Sequence, residues 1–128
     1  MADDSGTIVA SGSSGSMPTG SGSERLRRVT VHNLNAGWQN NVISGTAGHI
    51  YTILSIVFVE RADVSSSIAM RVNDGSNDIF LIGSQTVPAE NTFVWNDKFV
   101  IEEDDDLDVY NSTTNGDWLI SYIDQDWS

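Results

Sequence analysis

His32 and His49 are the chain's two imidazoles, and with no cysteine present they are the side chains best suited to exchanging protons near neutral pH. A serine hydrolase built on either would need an exposed nucleophile on a strained turn, yet no Gly-x-Ser-x-Gly elbow occurs despite the abundance of both residues. His32 falls on the polar face of an alternating segment and His49 at the start of another, so both are expected to be solvated structural residues. Adjacent carboxylates are plentiful among 18 acidic side chains, and for that reason they do not mark a general acid and its base. The residues predict no enzyme.

Asp104, Asp106 and Asp108 have the spacing that opens an EF-hand loop, but Val109 stands where the turn needs glycine and Asn115 where a bidentate Glu closes the cage. The acidic run at 102–108 is therefore expected to be a solvated face, and no metal or cofactor is expected. Zero cysteines also exclude a disulfide framework and a thiolate zinc site. Asn111-Ser112-Thr113 has the form of a glycosylation acceptor. The start Met1-Ala2-Asp3-Asp4-Ser5 has neither the basic nor the apolar part of a secretory leader, so a plain polar loop is expected there. Of four tryptophans, Trp118 alternates with Ile120 and is expected in the core. Trp127, one residue from the last, has no local core and is expected at an interface. Exposed Trp38 or Trp95 would suit a sugar platform, which keeps a carbohydrate-binding module as an alternative of a different class.

These residues are carried by a chain of 128 residues with a formal net charge of -12, enough for one modest core. Its pI near 4.1 predicts no nucleic-acid partner, because the surplus carboxylates repel phosphates. The longest apolar stretch, at 50–59, is broken by Thr52 and Ser55 and is too short to span a bilayer, so a soluble body and no membrane partner are expected. The charge is uneven. Asp3, Asp4 and Glu24 balance Arg25, Arg27 and Arg28, so the whole excess lies beyond residue 28, where 15 acids face only Arg61, Arg71 and Lys98.

Residues 1–23 hold seven Ser and five Gly. Such a segment cannot bury enough apolar surface to offset its chain entropy, so residues 1–25 are expected to form an extended arm that takes its order from a neighbour, followed by one domain at 26–128. Ile8, Val9, Met17 and Pro18 are the arm's candidate anchors. At about 3.3 Å per residue, residues 1–23 reach roughly 75 Å, beyond the edge of a domain this size. Arg25, Arg27 and Arg28 at its junction read equally well as charges guarding an edge strand and as a dock for an acidic surface.

Beyond the junction the chain reads as strands between turn signals. Val29 and Val31 alternate with polar neighbours, and 38–43 follows as a weaker segment. At 49–61, Ile50, Leu54, Ile56 and Phe58 are expected on one face and Tyr51, Ile53, Val57 and Val59 on the other, both covered. Strands are expected at 67–73 and 79–82 around the Asp74-Gly75 turn, then at 92–95, 99–102, 107–110 and 118–123. No window is an amphipathic helix. Eight or nine short strands predict an all-β fold, a two-sheet antiparallel sandwich of jelly-roll or Greek-key type.

The succession Tyr51-Thr52-Ile53-Leu54-Ser55-Ile56, Ser66-Ser67-Ile68-Ala69-Met70-Arg71-Val72-Asn73-Asp74-Gly75, Ile79-Phe80-Leu81-Ile82, Val87-Pro88-Ala89, Phe99-Val100-Ile101-Glu102 and Asp106-Leu107-Asp108-Val109 resembles the small β-sandwich structural proteins of tailed bacteriophages. These comprise capsid decoration (cement) proteins and accessory tail, neck or fibre domains. The likeness covers roughly residues 48–123 as a pattern, with no invariant motif; the acidic run is heavier than in that family, and the Gly/Ser arm lies outside it. The resemblance implies a structural role without catalysis, commonly as a homotrimer. The expected partners are the major capsid protein or other virion proteins, and the expected location is the outer capsid surface of a virion made in the host cytoplasm.

Overall fold

The computed structural model describes residues 23–128. Alternating apolar side chains make nine strands: β1 (Ser23–Leu34), β2 (Gly37–Ser44), β3 (His49–Glu60), β4 (Ser66–Asn73), β5 (Asp78–Val87), β6 (Thr92–Trp95), β7 (Phe99–Ile101), β8 (Asp106–Asn111) and β9 (Gly116–Asp126). No helix occurs among the described residues. One sheet has the order β1-β9-β3-β6, with β7 also paired to β3; the other has the order β2-β8-β4-β5. Every pairing is antiparallel. The result is the expected all-β, two-sheet antiparallel sandwich.

The core fills the space between the sheets. Ile53, Ile56, Phe58, Ile101, Trp118 and Ile120 come from the first sheet and meet Ile68, Met70, Leu107 and Val109 from the second, all almost fully buried. Phe58 and Trp118 pack with ring centroids 4.7 Å apart. As expected, β9 turns Trp118, Ile120 and Tyr122 inward, and β4 buries Ile68 and Met70.

The faces of β3 differ from expectation. Its buried residues are Tyr51, Ile53, Ile56, Phe58 and Glu60, because a register shift between Ile53 and Ser55 inserts one residue and reverses the alternation midway. Ile50 and Leu54, expected to share a face with Ile56 and Phe58, are left half-buried outside the core cluster, as are Val57 and Val59. The outer face of this strand is thus not fully covered. Strand β5 is also longer than expected, because Ile68 pairs with Gln85 and Ser66 with Val87 well beyond Ile82.

Two tight approaches fix the loops. At Gly45, after β2, a Cβ would lie 1.8 Å from the Glu102 carbonyl oxygen, so the acidic turn between β7 and β8 packs on bare backbone. In the β4–β5 turn only Gly75 takes a positive φ, 96°, while the Asp74 carboxylate accepts the Ser76 and Asn77 amides.

Candidate interaction surfaces

Both imidazoles are occupied by their neighbours. His32 Nδ1 lies 3.0 Å from Asp117 Oδ1, and Asn33 Nδ2 lies 3.1 Å from His32 Nε2. His49 Nδ1 is 2.7 Å from Asp124 Oδ1, and its Nε2 is 3.4 Å from Asp126 Oδ1. Among the described residues neither ring directs a nitrogen at a serine or threonine hydroxyl, the arrangement nucleophilic catalysis requires. His49 is nevertheless less solvated than expected, because Asp124 beneath it is buried and joins β3, β9 and β1: Arg27 on β1 pairs with the other carboxylate oxygen at 3.1 Å. Among the described residues no three His, Asp or Glu side chains cluster in a way that could hold a metal ion.

Asp117 collects a second cluster. Its carboxylate accepts the Asn33 amide at 2.9 Å and Arg61 Nε at 2.7 Å, besides facing His32. Burial pushes this carboxyl upward, but the Asn33 amide, the Arg61 guanidinium and His32 outweigh it and hold the group below its ordinary 3.8.

The anchors Ile8, Val9, Met17 and Pro18 lie outside the described residues. Arg25, Arg27 and Arg28 all run in β1, which pairs with β9 from Ser23 onward. Arg27 is committed to Asp124, whereas Arg25 and Arg28 are exposed. Trp127 is half-buried, its backbone N–H donating to the Gly48 carbonyl at 2.7 Å. Asn111 is not part of a polar loop. It is buried at the end of β8, where Nδ2 donates to the Leu34 and Thr113 carbonyls and Oδ1 accepts the Trp118 indole N–H.

Neither tryptophan suited to a sugar platform is bare. The Arg71 guanidinium stacks 3.9 Å over Trp38, and Arg71 Nε donates to the buried Asp108 at 2.9 Å. Trp95 donates its indole N–H to the Asp97 carbonyl at 2.7 Å.

A surface the sequence reading missed is the outer face of the five-stranded sheet. Thr30, Leu119, Val57 and Val94 are successive neighbours in one row across β1, β9, β3 and β6. Leu26, Ile123, Thr52 and Val100 form a parallel row through β7, with Arg28, Ser121 and Ser55 between the two. None of these residues belongs to the core cluster. The alternation of β9 and β6 was the signal that could have found them.

No family model matches the sequence, and no curated protein does. Among solved structures the chain is similar to one in the "Acidic stable capsid structure of Helicobacter pylori bacteriophage KHP30", with a TM-score of 0.50 and 8% identity over 82% of this chain and 89% of that one. At that identity the likeness shows a shared fold, and the chain is thus a β-sandwich whose fold also occurs in a bacteriophage capsid structure.

Proposed function

We propose that the chain is a virion structural protein, a capsid decoration protein that binds the outer surface of a bacteriophage head and reinforces its lattice. The observation that carries this reading is the fold shared with a chain of the phage capsid structure across most of both lengths. The sequence resemblance supports it, and so do the strand orders β1-β9-β3-β6 and β2-β8-β4-β5, which suit a jelly roll. A body with a net charge of -12 fits the outside of a shell, away from packaged DNA. In this reading the arm at 1–22, which precedes β1, tethers the sandwich to the major capsid protein through Ile8, Val9, Met17 and Pro18. The exposed Arg25 and Arg28 add charge-assisted contacts, and Trp127 an apolar one. Many weak contacts, repeated over a lattice, add through multivalency.

Immunogold labelling of particles tests the location. Gold on the head is the expected result. Gold on the tail, neck or fibres would replace it with an accessory role there, and unlabelled particles would refute a virion role. Protein lacking residues 1–22 should remain folded and lose co-sedimentation with particles; full retention would remove the tether.

A further inference from the structure

The geometry points to the outer face of the five-stranded sheet as the surface through which one copy of this chain packs on a second copy. Leu26 is 72% exposed, Val94 50% and Val100 46%, and with the half-buried Val57, Leu119 and Ile123 they make two mainly apolar rows on one face, with Arg28, Ser121 and Ser55 between. A shallow depression bordered by Thr30, Val57, Val59 and Leu119 opens on the same face. Single exposed apolar residues are ordinary, but six gathered on one sheet face mark a protein contact.

Charge identifies the occupant. Two bodies that each carry -12 repel wherever their carboxylates meet. The acids concentrate elsewhere, at 102–106 and around the β4–β5 turn, and the two apolar rows contain no carboxylate. Arg28 stands between the two rows, and Glu24 and the Arg61–Asp117 pair stand beside them, charges of both signs that two copies can match. A basic partner would find more to bind on the acidic loops than on this face, whose two rows hold no carboxylate and flank Arg28.

Size agrees. Four strands at about 4.8 Å spacing, with side-chain margins, give a face of roughly 20 Å by 25 Å, near 500 Å² per copy and about 1,000 Å² for the pair, the threshold of a specific interface. Sheets packed in this way interdigitate their facing side chains about 10 Å apart.

The test uses the full purified chain without particles, so its outcome is separate from that of the virion reading. Light scattering at about 100 µM protein, where mass action favours assembly, should give a multiple of 13.9 kDa. The triple variant Leu26→Glu, Val94→Glu, Val100→Glu changes only exposed positions. It should lose the assembly and run as a monomer, with an unaltered far-UV spectrum. Phe80→Glu, on the opposite sheet, should leave the assembly intact. A monomeric wild type, an assembly that survives the triple variant, or one dissociated by Phe80→Glu alone would each overturn the proposal.

Discussion

At the residue scale, the polar groups with the most structural consequence are those that gather several hydrogen bonds, at the surface as at Asp117 or in the interior as at Asn111. Asp117 is held below its ordinary value, so the folded chain binds its ionised form more tightly than the unfolded chain does. Its contribution is therefore complete above the unfolded value of 3.8 and is lost as pH falls through the lower folded value. Asp117→Asn should cost about 1 kcal/mol near neutral pH. In urea titrations across pH its midpoint should converge with that of the wild type as pH falls through the lowered folded value; a gap that ignores pH would assign the effect to shape instead. Asn111 is a neutral counterpart. Asn111→Leu leaves the Trp118 indole N–H and the Leu34 and Thr113 carbonyls without this partner, and should lower unfolding free energy by about 2–4 kcal/mol in chemical denaturation.

At the scale of elements, a close approach between loops is as firm a constraint as core packing. A Cβ on Gly45 would meet the Glu102 and Glu103 backbone at 1.8 to 2.7 Å, and backbone cannot rotate aside as a side chain can. Gly45→Ala should destabilise by about 3 kcal/mol in thermal or urea melts, because β2 and the β7–β8 turn must separate. Gly83→Ala, with nothing within 4 Å, should change stability by less than about 1 kcal/mol and gives the internal control. Strand positions and the faces of β4 and β9 were legible in the sequence because period-two alternation is a direct image of burial. The failure in β3 has a physical cause: a bulge adds one residue without a compositional mark, and from Ser55 onward every side chain changes face. Asp124 and Glu60 are buried, although acids usually face water. Asp124 stands in phase with Trp118, Ile120 and Tyr122, and Glu60 with Ile56 and Phe58, so the alternation already placed both inside. The pairing of Arg27 with Asp124 and the stack of Arg71 on Trp38 were not legible, since each depends on strand register across a sheet.

For the whole molecule, the uneven placement of charge links stability to assembly. Asn73 pairs with Asp106 and with Asp78, and a Cβ on Gly75 would touch Asp104 at 3.8 Å, so the β4–β5 and β7–β8 turns lie together at one end of the sandwich. Asp74, Asp78 and the acids at 102–106 thus crowd one pole, while the apolar outer face of the other sheet stays free of carboxylates in its two rows. Repulsion at that pole opposes folding and is relieved by salt, whose screening length falls from about 30 Å at 0.01 M to roughly 10 Å at 0.1 M. Neutralising two of the exposed acids with Glu103→Gln and Asp104→Asn should therefore raise the urea midpoint at low salt, by up to about 0.5 M. The gain should disappear near 0.5 M salt, where the wild type is screened as well. Because neither residue touches the apolar rows, the double variant should keep the oligomeric mass of the wild type. Equal midpoints at low and high salt would instead mean that the acidic pole is not strained by its own charge, and that the concentration of carboxylates there has no effect on folding.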